Sequence, residues 1–342
     1  MTEVMPGPPV SLGEVTLRSR LPMWMDNLAN NLPLVRDGLD LANLPHKKEP
    51  CLVVGAGPSL KHFNHLKMIA DAGWKHTVIC CDRVLNDALR HKIVPYAVAT
   101  VDGSPQLLSF YSQPIVRKYA KEINGAFNVW THPKVVKEWL NHAGKDKLYW
   151  FVPSVDNPAN EKGGLNIRSL TYIFHLLSKG KGIISGLGNV GAFSVNLALA
   201  LECEPIILVG LDFSEQVKDK SEAVYFDSFT AMFMQKYHKN PEQAQDKAAD
   251  LHQLEHNPDF VCEEDDPPYY KKGEHPQYLV NPVWKEYRNM LASFIIASKR
   301  RIINSTGNGC LHTQAKNAEG GYVLKCPNFE AKPLKTVLEE YR

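Results

Sequence analysis

Three aspartates each close an apolar run, and two glycine-rich turns lie beside such runs. Asp82 follows Thr77-Val-Ile-Cys-Cys81, Asp102 follows the run ending at Val101, and Asp212 follows Pro205 to Gly210 and Leu211. The first turn, Gly55-Ala-Gly57-Pro58-Ser59, comes directly after Cys51-Leu-Val-Val54, and the second is Ser185-Gly186-Leu-Gly188-Asn189-Val-Gly191. Glycines let backbone N–H groups approach an anion with no Cβ in the way, Pro58 suits a first helical position, and Ser59 adds a hydroxyl at the positive end of the helix. That combination is a phosphate cradle. Ser185, Gly186 and Asn189 open a second apolar helix in the same manner. One aspartate after a strand is ordinary turn chemistry, whereas three beside two glycine turns favour a binding site.

The elements that must position these residues alternate. Apolar runs rich in β-branched residues are separated by helical patterns, giving strand, helix, strand, helix, strand over residues 51–101. Such a rhythm predicts an α/β fold with a doubly wound, mostly parallel, Rossmann-like sheet and right-handed crossovers. In an open sheet of this kind the ligand sits outside the carboxyl ends of the strands, so Gly55, Gly57, Ser59, Asp82, Asp102 and Asp212 are expected to converge. Around this core, at 49–214, residues 1–48 read as a loose arm and a helical lead-in over Leu21 to Leu44 with a break at Pro33. A helix over Phe63 to Ala72 is expected to stop at Gly73. Residues 215–282 read as an insertion or lid, with a polar helix at about 241–256 and an irregular later part. Residues 283–342 complete the core with helix, strand and helix, and Ser305 to Gly309 forms a third glycine-containing turn.

At 342 residues, 44% of them apolar and 22% charged, the chain can bury a full core. A formal net charge of +2 argues against a general nucleic-acid binder. The seven cysteines show no C-x-x-C pair, so a reducing, cytoplasmic compartment is expected. No apolar run approaches 18 residues, so no membrane span is expected. Gly186 to Gly191 spells G-x-G-x-x-G, and Asp212 lies 21 residues beyond Gly191. The dinucleotide fingerprint also needs a solid buried strand immediately upstream, and only Ile183 and Ile184 stand there. The NAD reading is therefore set aside. His252 and His256 share a helical spacing but lack a third metal ligand, and His132, His238 and His275 are each more simply surface histidines than general bases.

At Gly55-Ala-Gly-Pro-Ser-Leu60 the pattern becomes more specific. It resembles the MptE-like family, which includes 6-hydroxymethyl-7,8-dihydropterin diphosphokinases and motility-associated-factor glycosyltransferases of flagellin, and it is similar to the opening of certain bacterial sialyltransferases. Cys81-Asp82, Ala88-Leu89, Ile93-Val94-Pro95 and Val101-Asp102 match further segments in order, as do Ser185-Gly186 through Asn189-Val190 to Gly210-Leu-Asp-Phe213 and Ile302-Ile-Asn-Ser-Thr306 with Gly307 and Gly309. The resemblance implies a transferase that uses a nucleotide-activated donor, above all a glycosyltransferase with a nonulosonic, CMP-type sugar donor and a protein or glycan acceptor. The first turn, with Pro58 and Ser59, would then hold phosphate, and Asp82 and Asp102 the nucleoside or sugar. Ser185, Gly186 and Asn189 would face the departing phosphate, Asp212 would orient substrate or act as base, and a histidine of the insertion would complete the site. The alternative is transfer of diphosphate from ATP to a pterin alcohol with Mg²⁺ on Asp82 and Asp102, and a second alternative is a non-catalytic nucleotide-binding module. Thr100-Val101-Asp102 stands where the pterin kinases carry paired aspartates, and the chain runs on well past the second signature. Both departures lean toward the glycosyltransferase branch, although no histidine follows soon after Phe213 as it often does there.

Overall fold

A computed structural model of the chain describes residues 12–159, 166–216, 253–257, 259, 273, 277–316, 322–325 and 327–342. In chain order the strands are β1 (Leu39–Asp40), β2 (Cys51–Val54), β3 (Thr77–Cys81), β4 (Ala97–Thr100), β5 (Asn124–Asn128) and β6 (Leu148–Ser154). After them come β7 (Ile183–Ser185), β8 (Ile206–Val209), β9 (Glu215–Gln216), β10 (Gln253–His256) and β11 (Gln277–Val280). The last four are β12 (Ile302–Asn304), β13 (Gln314–Lys316), β14 (Tyr322–Lys325) and β15 (Phe329–Ala331).

Ten of these form one sheet in the order β1-β6-β5-β4-β3-β2-β8-β12-β15, with β7 also on β6. Every pairing in it is parallel. The central strands CLVV, TVICC and IILV are buried along their whole length, as strands covered on both faces must be. From β2 the chain winds outward to β6 and then crosses back to place β8 on the other side of β2. The winding direction therefore reverses between β2 and β8, which is where an open α/β sheet binds its ligands.

Helices cover both faces. On one, the helices Leu12–Asp37, His65–Ala72, Leu85–Arg90, Pro133–Ala143 and Leu334–Glu340 contribute Leu28, Leu66, Leu85, Val135 and Leu334 to a single core. On the other, Val190–Ala200 lies under Pro282–Ser298, and Phe193 and Leu291 share a second core. Residues 191–198 of the former are all buried, so its apolar character on every side has a physical cause. Among the described residues no helix is long and apolar enough to cross a membrane.

Three expectations are corrected. The lead-in is one helix, Leu12–Asp37, that continues through Pro22 and Pro33. A proline inside a helix removes one hydrogen bond and costs ~3 kcal/mol or more. Tertiary anchors offset that cost: Asn27 Nδ2 donates to Gly103 O and Trp130 O, Asn31 Nδ2 donates to Thr131 O, and Trp24 stacks on Trp130 at 4.8 Å. The helix after β2 is a single turn, Ser59–His62, separated from His65–Ala72 by Asn64 in the left-handed region. Gly73 does end the second piece, at φ 64°. Finally, Gln253–His256 is a strand, paired antiparallel with β11, which also pairs with β9. The helical spacing of His252 and His256 thus has no helix under residues 253–256; residue 252 and the rest of the expected polar helix lie outside the described residues.

Candidate functional site

The turns after β2 and β8 are pressed together at the switch point. Gly55 N donates to Val209 O and Gly57 N to Gly210 O, each at 2.8 Å. A Cβ on Gly55 would collide with Gly210 O, and one on Gly57 with the Asp212 carboxylate. These glycines are thus required by the approach of two protein backbones. Pro58 stands at the N-cap with no side-chain bond to the helix. Ser59 is fully buried, its N–H donating to Asp212 Oδ1 at 3.1 Å and its Oγ to Oδ2 at 2.8 Å.

Asp212 is 3% exposed. Burial pushes its carboxyl up to about 7, against the pull of the two Ser59 hydrogen bonds and of His62 nearby. In this structure the Ser59 hydroxyl is hydrogen-bonded to Asp212, and the carboxylate, with both oxygens engaged by Ser59, ties the β8 turn to the β2 turn.

The turn after β12 closes on the same carboxylate residue. Leu211 N donates to Thr306 Oγ1 at 3.3 Å and Cys310 N to Asp212 O at 2.8 Å. Gly309, at φ 84°, lies so close to the Asp212 backbone that a Cβ would collide with it. Asn257, just after β10, donates from Nδ2 to Gly309 O at 2.7 Å, which connects the insertion to this turn.

Asp82 and Asp102 form a second group. Asp82, 4% exposed, accepts from Arg83 N at 2.7 Å and is hydrogen-bonded to Thr100. Burial raises its carboxyl to about 7, the Arg83 and Thr100 bonds oppose this, and the charge of Asp102 adds to it. Asp102 is exposed and accepts from Ser104 N at 3.1 Å. With β3 two and β4 three strand intervals from β8, Asp82 lies roughly 10 Å and Asp102 roughly 14 Å along the sheet edge from Asp212. The expected convergence therefore holds as two neighbouring groups and not as one cluster.

The second glycine turn delivers a helix N-terminus to the same edge. Asn189 Oδ1 accepts from Ala192 N at 3.0 Å and caps Val190–Ala200. Among the described residues its Nδ2 is a buried donor with no partner. Gly191 lies against Leu211, within reach of Cys81 Sγ, so this N-terminus stands over the ends of β3 and β8. Ser185 pairs with Ser154 at the end of β7, and its Oγ accepts from Leu187 N at 3.4 Å. Gly186 faces open space, and Gly188 lies under the Tyr287 ring. The strand before this G-x-G-x-x-G is the three-residue edge strand β7, not a central one.

Residues 24–218 match the profile of a family described as 6-hydroxymethylpterin diphosphokinase MptE-like. The chain belongs to the MptE-like family. The matched span contains β2 to β8 and the first two turns. In fold, the MptE-like chain is similar to a MAf glycosyltransferase from Magnetospirillum magneticum AMB-1, with a TM-score of 0.50 and 12% identity over 96% of this chain. It spans 44% of the length of that glycosyltransferase. No curated protein matches the chain in sequence.

Histidines complete the description of the MptE-like site. His132 caps the helix Pro133–Ala143, its Nδ1 accepting from Lys134 N at 3.3 Å. Residues 238, 252 and 275, and with them three of the insertion's histidines, lie outside the described residues. His62, which sequence reasoning passed over, belongs to the single turn opened by Ser59 and interacts with Asp212. Its signal was its place three residues after Ser59, on the same side of a helical turn.

Proposed function

We propose that this MptE-like chain is a transferase acting on a nucleotide-activated donor, and that the donor is a nucleotide sugar of the nonulosonic, CMP-carrying type. The observation that carries this reading is the closure of three strand-end turns, after β2, β8 and β12, around Asp212 at the switch point. The third turn belongs to the part of the chain beyond the matched span, where the sequence resembles the glycosyltransferase branch. The N-terminus of Val190–Ala200 and the unpartnered Asn189 Nδ2 stand where donors would meet the negative charge of a departing phosphate, a stabilisation that grows toward the transition state. Asp102, exposed after the end of β4, would take a hydroxyl of the nucleoside or sugar. The acceptor is a hydroxyl of a protein or glycan, and a cytoplasmic location accords with the cysteine usage.

The Asp82 and Asp102 pair, together with the family description, favours a second reading, diphosphate transfer from ATP to a pterin alcohol. There Mg²⁺ would be held by Asp82 and Asp102 and would neutralise the phosphates. A thermal-shift series with CMP, UDP, GDP and ATP, each with and without Mg²⁺, separates the two. A ligand at one hundred times its dissociation constant stabilises by about 2.7 kcal/mol. The expected outcome is a shift with CMP that needs no Mg²⁺, followed by release of CMP from CMP-N-acetylneuraminate. A shift with ATP alone that requires Mg²⁺ gives the second reading, and nucleotide binding without turnover of any donor gives a binding module.

A further inference from the structure

In the turns that follow β2, β3, β4 and β5 the exposed charged residues are Lys61, Arg83, Asp102 and Lys134, three cations to one carboxylate. Away from this edge, Arg90, Arg117, Arg300 and Arg301 each meet a carboxylate. The Arg83 guanidinium makes no hydrogen bond or ion pair among the described residues, and Asp87, one helical turn further on, is taken by Arg90 at 2.6 Å. Two other acidic groups lie close to it. Burial raises the Asp82 carboxyl to about 7 against the pull of Arg83, so near neutral pH its negative charge is partial. Asp102 accepts from Ser104 N at 3.1 Å.

The backbone that carries Arg83 is held. It belongs to the short turn Asp82–Val84, in which Asp82 and Val84 are each 4% exposed and Asp82 Oδ1 accepts from Arg83 N at 2.7 Å. Because β3 lies between β2 and β4, Arg83 starts one strand interval, about 5 Å, from the glycine turn Gly55 to Ser59 on one side and from Asp102 on the other. Cys81, the last residue of β3, has its Sγ 4.0 Å from Ser194 Oγ of the helix Val190–Ala200. The start of that helix therefore stands over the strand end from which Arg83 departs.

We infer that Arg83 is a specificity residue of the donor site, its guanidinium pairing with the carboxylate that a nonulosonic sugar carries on its anomeric carbon. This rests on the transferase reading above. Such a sugar is an α-keto acid in its open form, so the carbon bonded to the phosphate oxygen also bears the carboxylate. A phosphate held at the start of Val190–Ala200 brings that carboxylate to the end of β3, where Arg83 is the exposed cation. Guanidinium and carboxylate meet in a fork of two parallel charge-assisted hydrogen bonds, which the ammonium groups of Lys61 and Lys134 cannot form. UDP-N-acetylglucosamine and GDP-mannose carry hydrogen at the same position and give Arg83 nothing to bind.

The test uses the full chain and CMP-3-fluoro-N-acetylneuraminate, a donor whose fluorine slows loss of the sugar, beside CMP as reference, both read by calorimetric titration. The parent should bind the fluorinated donor at least about tenfold more tightly than CMP, the gain expected of hydrogen bonds between charged partners. Arg83→Gln should erase that advantage, while CMP affinity stays within about twofold and the melting temperature holds, as for a surface side chain without structural partners. Arg83→Lys should recover only part of the advantage. An advantage that survives in Arg83→Gln overturns the inference, and so does an equal loss for CMP, which would put Arg83 on the phosphate. A parent that binds CMP and gains nothing from the sugar overturns it as well and leaves nucleotide binding in place. A parent that binds no CMP overturns the donor reading itself, and this inference with it.

Discussion

Asp212 joins what three separate segments bring to the switch point, and its protonation links the site to stability. Its carboxyl, like that of Asp82, is raised by burial from 3.8 in the unfolded chain to about 7 in the fold. Between those values the native state binds more protons than the unfolded one, so the stability that each group contributes is full below about pH 4 and is lost as the pH rises through about 7. Asp212→Asn removes one of the two titrations. The parent's melting temperature should fall between pH 5 and pH 8, and the Asn variant should fall less steeply; equal slopes would contradict the burial-driven shift. The substitution also exchanges one acceptor oxygen for an amide beside Ser59, which should cost about 1–3 kcal/mol in denaturant unfolding near neutral pH.

At the scale of elements, the helix Val190–Ala200 has two separable jobs at its start. Asn189 Oδ1 caps the helix and Nδ2 remains as a buried donor. Asn189→Asp keeps the cap, since Asp and Asn are equivalent N-caps, but replaces the donor with an acceptor. Stability should change by less than about 0.5 kcal/mol while CMP affinity falls at least about tenfold, read by calorimetric titration beside a denaturation curve. An unchanged affinity would move the phosphate away from this helix. The turn Ser59–His62 follows a different logic. It is too short for its dipole to hold an anion by itself, and its orientation comes from Asp212, distant by 153 positions in sequence. The expectation of a long helix there failed because Asn64 takes the left-handed conformation and starts the helix anew.

Across the molecule, a buried ion pair helps to join the β9-β10-β11 layer to the core, beside the Asn257 hydrogen bond to Gly309. Arg288 Nη1 lies 2.5 Å from Glu255 Oε2, with exposures of 6% and 9%. Glu255→Gln leaves a buried cation without its counter-charge and should lower stability by about 3–5 kcal/mol, seen as an earlier midpoint in urea. The double replacement Glu255→Leu with Arg288→Met should recover most of that loss. Much of the whole was readable from the chain alone. The runs CLVV, TVICC and IILV determined buried parallel strands and Gly73 a helix end, because burial on two faces and turn chemistry are local properties written in consecutive residues. Tertiary structure alone decided that β8 returns beside β2, that Asp212 turns onto Ser59, and that Pro33 stays inside a helix held by Asn27 and Asn31. Those outcomes depend on contacts between segments far apart in sequence, and residue periodicity carries no information about which distant segments will meet.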